Sequence, residues 1–556
     1  MEQLVITWLQ KTFDQEFCSK IEFSPVPRGQ KGDLAMKFFQ LTKSEGQSPV
    51  QIAKRIADAL ADCDVVERTE LAGPYLNLYF APQQFFEKVF QTPLKGTVSE
   101  GQNIIIEFSG PNTNKPLHLG HMRNHALGIS VSNLLEAVGA TVHRVNIIND
   151  RGIHICKSMI AYEKWGEKQE PNKKSDHFIG DWYVRFDQES KKNESLIDEA
   201  KEMLVKWEQE DKDVRTLWKK MSDWALTGHK ETYARQGIHF EKEYFESKYY
   251  TAGRDIAEKG LQQGVFQKRE DGAIVINLED EGLDEKVILR ADGTSIYLTQ
   301  DLAVATARMK DFNPDQMMYV VADEQNYHFK VLFSCLNKLG LIEPKHLHHL
   351  GYGLVNLPDG RMKSREGTVV DADNLMDELH DLAAEEISKR HDDWKKDEID
   401  DTAEKIQDAA WKFFLLQTSP KKSITFDAQK SIAFEGATGP YLQYAAVRIQ
   451  SILRKAGEQP KTNAATYLGE EEKLLGAKIL AFPDILNRAA ENLNPTYVVT
   501  YLLELAQDWS SYYAANSVLQ AETPELIHAR VALAEKVLSV LKKGMAVLGF
   551  QAPERM

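Results

Sequence analysis

Residues 103–148 read NIIIEFSGPNTNKPLHLGHMRNHALGISVSNLLEAVGATVHRVNII, and this stretch decides the fold. Asn103 to Phe108 is a short, nearly continuous apolar run, as expected of a strand buried on both faces of a parallel sheet. A loop of Ser, Gly, Pro and Asn follows from Ser109 to Pro116. Leu127, Val131, Leu134, Leu135 and Val138 then recur at helical spacing, and Gly139 stops the helix. Thr141 to Ile148 predicts a second strand. Strand, loop, helix and strand within about 45 residues make a βαβ unit. The chain is therefore expected to be an α/β protein with a Rossmann-like, doubly wound parallel sheet.

Upstream, residues 1–95 read as a small α/β domain. Ser48-Pro49 supplies an N-cap and a first-turn proline ahead of Ile52, Ile56 and Leu60, an amphipathic helix. Tyr75 to Phe80, after Gly73-Pro74, predicts a strand. Downstream, residues 155–240 are highly charged and spotted with Trp165, Trp182, Trp207, Trp218 and Trp224. They read as a helical insertion that interrupts the sheet, extending to about residue 290 before sheet-like sequence resumes. From about 376 helical periodicity takes over, with Val537, Leu541, Met545 and Leu548 near the end. The expected organisation is an N-terminal domain (1–95), a sheet domain with its insertion (100–375) and an all-helical domain (376–556).

At 556 residues the chain has room for three or four domains. With 42% hydrophobic and 27% charged residues it is globular in composition. Its net charge of −15 argues against an indiscriminate nucleic-acid coat, whose affinity comes from sheer positive charge. A selective binder remains open, because the charge is sorted along the chain. Residues 376–408 hold 13 acidic and 5 basic side chains, whereas 409–461 hold 8 basic and 3 acidic. Cys18, Cys63, Cys156 and Cys335 form no paired motif, so reduced thiols are expected. The N-terminal MEQLVITWLQKTFDQEF lacks the basic and apolar regions of a signal peptide, and no apolar stretch approaches about 18 residues. The expectation is a monomeric cytoplasmic protein without a membrane partner.

Chemistry concentrates in four places. The first is Lys115-Pro116-Leu117-His118-Leu119-Gly120-His121 at the strand-to-helix turn. A helix N-terminus attracts phosphate, Gly120 lets a nucleotide approach the backbone, and two imidazoles can donate to charge building on a phosphoryl group. The same tetrapeptide also arises by chance with its histidines merely capping a helix, and a metal site would want a third ligand that no typical spacing supplies. The second is Tyr297-Leu298-Thr299-Gln300-Asp301: on a helix, Tyr297 and Asp301 share a face, and a ring beside a carboxylate receives a guanidinium well. A solvated helix face gives the same pattern. The third is the basic loop Gly360-Arg361-Met362-Lys363-Ser364-Arg365-Glu366-Gly367, able to clamp a triphosphate or simply an exposed turn. The fourth is Tyr441-Leu442-Gln443-Tyr444 with Arg448, suited to stacking on unpaired bases or to packing in a helical core. Trp509, Tyr512 and Tyr513 allow the same two readings. His346, His348 and His349 lack acidic or cysteine company and are taken as structural.

EFSGPNTNKPLHLGHMRNHALG (Glu107–Gly128) resembles the first signature of class I aminoacyl-tRNA synthetases in the form found in arginyl enzymes. YLTQDLA (297–303), VVADEQNYHFK (320–330), GATGPYLQYAAVRI (436–449) and the final ERM resemble that family in the same order, and GDLAMKFF resembles its N-terminal domain. The resemblance runs nearly end to end and is least clear in the insertion. It implies that Glu107, Asn112 and His118 hold the α-amino and carboxylate end of arginine, and that Tyr297, Asp301 and Gln325 hold its side chain. His118, Gly120, His121, Met362, Lys363 and Ser364 would contact ATP, whose Mg2+ comes with the nucleotide and needs no dedicated protein site. The basic loop matches the family's second signature imperfectly: Arg361 replaces the first lysine, Lys363 comes one position early, and Ser364 stands where the second lysine would be. Lys115 lies where some family members carry a compensating lysine, so Lys115 and Lys363 are expected to share that role, with Arg361 nearby. Tyr441, Tyr444, Tyr513 and Met556 would meet tRNA(Arg), and activation of arginine would require bound tRNA. Two other classes compete. A nucleotidylyltransferase would not need the helical C-terminal region, and a non-catalytic tRNA-binding relative would have lost the histidines.

Overall fold

The computed structural model describes residues 1–556 except Pro25, residues 27–30, Ser295, residues 359–369 and residues 459–462. The chain forms two compact units. One gathers Met1–Leu94, Ala445–Ile485 and Tyr501–Lys543; the other gathers Lys95–Tyr444, Leu486–Thr500 and Gly544–Met556.

In the second unit the run of isoleucines becomes β1 (Asn103–Glu107), with Ile104, Ile105 and Ile106 fully buried. It pairs in parallel with β2 (Thr141–Ile148), which pairs with β3 (Lys242–Phe245). On its other side lie β4 (Gln316–Ala322) and β5 (Leu347–Tyr352), also parallel. The sheet order is thus β3-β2-β1-β4-β5, the doubly wound arrangement expected from the βαβ pattern. Strand order reverses between β1 and β4, and in such sheets the crevice beyond the carboxyl ends at that reversal receives ligands. Glu107 ends β1 there, in register with Tyr319 of β4. The crossover from β1 to β2 is α1 (Leu119–Ala137).

The insertion joins β2 to β3 through α2 (Ile153–Trp165), α3 (Ser175–Ser190), α4 (Ser195–Glu208) and α5 (Lys212–Arg235). Its aromatic residues form a core of their own: Tyr162, Phe178, Trp182 and Trp224 meet edge to face with ring centroids 5.7–6.3 Å apart. Three short antiparallel strands (Gln267–Lys268, Ile274–Ile276, Lys286–Leu289) precede α6 (Tyr297–Phe312), which leads into β4. After β5, α7 (Ala372–Arg390) and α8 (Lys396–Leu416) bury Ala383, Ile387, Ala403 and Ile406 between them, with Met556 packed against this cluster.

The first unit carries a four-stranded antiparallel sheet in the order Glu22–Ser24, Leu34–Lys37, Tyr75–Phe80, Val66–Ala72. The predicted helix spans Pro49–Leu60, with a reciprocal Ser48/Gln51 cap and Ile52, Ile56 and Leu60 buried. Among the described residues, its other regular elements are helices. The C-terminal region is therefore helical as expected, and its residues are shared between the two units. The four cysteines are buried free thiols. No helix among the described residues is long and apolar enough to cross a membrane.

Candidate functional site

A cavity of about 480 Å³ opens at the reversal between β1 and β4, lined by Glu107, Ser109, His118, Gly120, His121 and Asn124 among others. His118 is the N-cap of α1. Its Nδ1 accepts the Gly120 N–H at 3.1 Å, while its own N–H donates to Nδ1 of His121, also at 3.1 Å. This reciprocal cap satisfies two backbone donors that a helix start otherwise leaves open. It also settles the proton of each ring: with both Nδ1 atoms accepting, each neutral imidazole carries its hydrogen on Nε2. Burial, with Lys115 and His125 nearby, depresses His118 to about 3, and burial, with the His118, His125 and His229 imidazoles and Lys115 beside it, holds His121 well below the ordinary range. Both rings are neutral Nε2–H donors at physiological pH, set at the positive end of a helix. Gly120 is required because a Cβ there would lie 2.9 Å from the folded-back His118 ring.

A third histidine on the same helix was not singled out in the sequence. His125 is fully buried, with Nδ1 2.7 Å from Gln236 Oε1 and Nε2 2.8 Å from Ser109 Oγ, which is itself 2.7 Å from the Tyr233 hydroxyl. Ser109 has φ +82°, a left-handed conformation costly for a residue with a Cβ. Asn124 holds it there, accepting the Ser109 N–H at 2.6 Å and donating to Val320 O at the end of β4. Arg123, also fully buried, donates to the carbonyls of Leu415, Pro420 and Lys422 and ties α1 to the end of α8. Polar residues on consecutive positions of a helix with no polar face were the available signal.

The residues expected to receive a guanidinium are brought together only in part. Tyr297 and Asp301 do stand at i and i+4 at the start of α6. Asp301 Oδ2 accepts from His328 Nε2 at 2.6 Å, a contact that raises His328 against the opposing effect of burial. Asp301 is close enough to Glu107 to raise its pKa, which burial already pushes up and Arg308 pulls down. Glu107 and Arg308 are a buried ion pair, the guanidinium lying 4.9 Å from the Tyr244 ring centre. Tyr297 is 63% exposed and Gln325 is exposed in the turn after β4. Tyr297, Asp301, Gln325 and Asn112 do not line the 480 Å³ cavity; Asn112 is bridged through its backbone to Asn149, which does. A further carboxylate, Glu246, sits just beyond β3 beside Tyr297, Asp301 and Arg151. Burial raises it to about 8, and its Oε2 has no hydrogen-bond partner among the described residues. In the sequence it looked like one acidic residue among many.

Lys115 is half-buried and lines a smaller cavity of about 200 Å³ with His118, His177 and Asp371. Burial lowers its pKa, and among the described residues no carboxylate contacts its ammonium group. Gly360, Arg361, Met362, Lys363 and Ser364 lie outside the described residues. Beyond them, Val370 O accepts the Leu119 N–H at 3.0 Å, and Ala372 N–H donates to Leu117 O at 3.0 Å, so the first signature segment and the start of α7 meet through a backbone ladder. Tyr441 and Tyr444 are half-buried on the helix Gly439–Ala456, either side of buried Leu442 and Gln443. In the other unit Tyr513 stacks on Trp509 and lies under Arg448, whereas Trp509 and Tyr512 belong to the core. His346 bonds Asp315 O, and His349 bonds Val321 O and stacks on Phe329.

Three family descriptions match in succession: the arginyl tRNA synthetase N-terminal domain over residues 1–80, "tRNA synthetases class I (R), catalytic domain" over 87–427, and the DALR anticodon binding domain over 442–556. A protein of Treponema denticola named arginine–tRNA ligase is 44% identical, the match covering 98% of each chain. One of the same name from Parabacteroides distasonis is 40% identical over 97% of this chain and 96% of that one. The structure of Thermus thermophilus arginyl-tRNA synthetase superposes with a TM-score of 0.83 at 25% identity, covering 100% of this chain and 99% of that one. A cavity at the sheet reversal walled by two neutral imidazole donors thus stands in a chain that matches this family from end to end, and the chain belongs to the class I tRNA synthetases of the arginine type.

Proposed function

We infer that the chain is an arginine–tRNA ligase, joining L-arginine to the α-phosphoryl group of ATP and passing the arginyl group to the 3′-terminal adenosine of tRNA(Arg). The observation that carries this reading is the pair of Nε2–H donors of His118 and His121, fixed by their mutual cap at a helix N-terminus. A carboxylate oxygen of arginine attacks the α-phosphorus, the bond to the β-phosphate oxygen breaks, and pyrophosphate leaves. The 2′-hydroxyl of the terminal adenosine then attacks the arginyl carbonyl and AMP departs as the hydroxyl gives up its proton. The protein's part is positioning and charge stabilisation. His118, Gly120 and His121 are assigned to the phosphates, with Met362, Lys363, Ser364 and Arg361 as further contacts. Mg2+ bound with the nucleotide would neutralise part of its phosphate charge. Glu107, Asn112 and His118 hold the amino-acid end. Tyr297, Asp301 and Gln325 receive the guanidinium, with Glu246 as an added carboxylate. Tyr441, Tyr444, Tyr513 and Met556 meet the tRNA, and the enzyme works as a cytoplasmic monomer.

ATP–pyrophosphate exchange tests the reading. Exchange is expected with arginine once tRNA(Arg) is bound; exchange driven by another amino acid, or none with arginine and cognate tRNA, would reject it. Asp301→Asn is expected to remove one arm of a charge-assisted fork, costing about 2 kcal/mol, or roughly a 30-fold rise in the KM for arginine, with kcat little changed. Lysine and ornithine should remain poor substrates, since neither fills a planar fork. Lys115→Ala should slow single-turnover adenylate formation by about 10-fold or more, as expected on losing a charge clamp; a change under about 3-fold would show that Lys115 does not stand in for the missing lysine.

A further inference from the structure

The insertion meets the first signature segment and the start of α7 through a buried polar cluster. Lys174, just before α3, places its Nζ 3.0 Å from both carboxylate oxygens of Asp176, 2.8 Å from Asp373 Oδ2 and 2.7 Å from Thr232 Oγ1 of α5. His177 Nε2 is 3.0 Å from the same Asp373 oxygen and 3.4 Å from Asp371. Asp371 is the N-cap of α7, accepting the N–H groups of Asp373 and Asn374, and the residues on either side of it form the backbone ladder with Leu117 and Leu119. On the other side, His229 Nε2 of α5 is 2.9 Å from Lys115 O.

Two glycines let the helices come this close. A Cβ on Gly228 of α5 would lie 2.2 Å from Asp176 Oδ1, and one on Gly180 of α3 would lie 2.7 Å from Cδ of Pro116. Asp176 is fully buried and Asp373 nearly so. Asp176, His177 and Asp373 converge closely enough to ligate a cation, and the Lys174 ammonium already lies among them. Burial pushes the Asp373 carboxyl up, but the His177 and Lys174 bonds outweigh it and hold it at about 2. A cluster with this many charged bonds, gripping two chain segments that are distant in sequence, does more than fill a core.

We propose that the insertion is a positioning element of the active site, in which Lys174 and His177 hold Asp373, and with it the start of α7, against the Lys115–His118 turn. This rests on the ligase reading above. The insertion then fixes where the His118/His121 donors stand relative to the start of α7. Lys174, His177 and Asp373 touch no substrate in this scheme and act through the segments they hold.

The test is arginine-dependent ATP–pyrophosphate exchange by the full-length protein, per active site titrated, for Lys174→Met, Asp373→Asn and the double variant. If the wild-type chain shows no exchange with arginine and tRNA, it is the ligase reading that fails. With an active wild type, each single variant is expected to lose about 10- to 100-fold in kcat and to raise the KM for ATP, while the KM for arginine stays within about 2-fold. The double variant should be less damaging than the product of the two single losses, since both break the same Lys174–Asp373 contact. Unchanged constants per titrated site, even with fewer folded molecules, would overturn the proposal. So would a rise in arginine KM matching that for ATP. Should Lys174→Met fail to fold, His177→Asn, at the cluster's half-buried edge, is read by the same criteria.

Discussion

His118→Asn is expected to slow adenylate formation by about 10²- to 10³-fold, the usual cost of losing one preorganised donor to developing phosphoryl charge. Asparagine isolates that cost. It is among the best N-cap residues, so its Oδ1 can take over the Gly120 N–H, and the helix start survives. What it cannot supply is the ring's Nε2–H at the far side of the cap. His118→Ala removes both and should cost in addition about 1 kcal/mol of stability. The two are separated by measuring single-turnover adenylate formation alongside thermal unfolding: Asn should lower the rate with the melting temperature nearly unmoved, Ala should lower both. An asparagine variant with near-normal chemistry would mean that His118 only caps α1.

Arg308→Met is expected to destabilise the second unit by about 3–5 kcal/mol, the cost of stranding one partner of a buried ion pair. Arg308 is the cation bonded to Glu107, and both side chains lie inside the sheet's carboxyl edge. Glu107 already has its pKa raised by burial, and Arg308 is what draws it back. Without that cation the folded-state pKa climbs further, so the folded protein binds a proton more tightly than the unfolded chain does. Stability of the variant should therefore fall as pH rises from the unfolded carboxyl range towards the folded value, and recover on acidification. Urea unfolding of wild type and variant at pH 5 and pH 8 reads this directly: the gap between the two should be the wider at pH 8. A gap that is equal at both values would mean Glu107 is not the stranded charge.

The parts of this molecule that were legible in the sequence are those whose physics is local. The isoleucine run, the capped turn and the apolar spacing of α1 lie within one βαβ unit, and they specified the sheet. Tyr297 and Asp301 were readable for the same reason, one helical turn apart. Arg308 was not: nothing in the α6 sequence marks it as buried, and only the pairing of β4 with β1 brings Glu107 to it. Glu246 and Asp373 were hidden likewise, since a carboxylate in an acidic sequence carries no mark of burial. Four of the five tryptophans named in the insertion proved to belong to its core, because a four-helix segment must bury a face of its own before it can support anything else. The sharing of the helical C-terminal residues between two units depends on long-range packing that no local pattern encodes.

The reciprocal cap of His118 and His121 has a consequence for the pharmacology of this cavity. Each ring spends its only acceptor atom on the backbone, so neither can receive a proton donor from an incoming molecule. An inhibitor built for this floor must therefore bring acceptors such as a sulfonyl, sulfamoyl or carbonyl oxygen, and an amine or amidine placed there would face two hydrogens and find no lone pair.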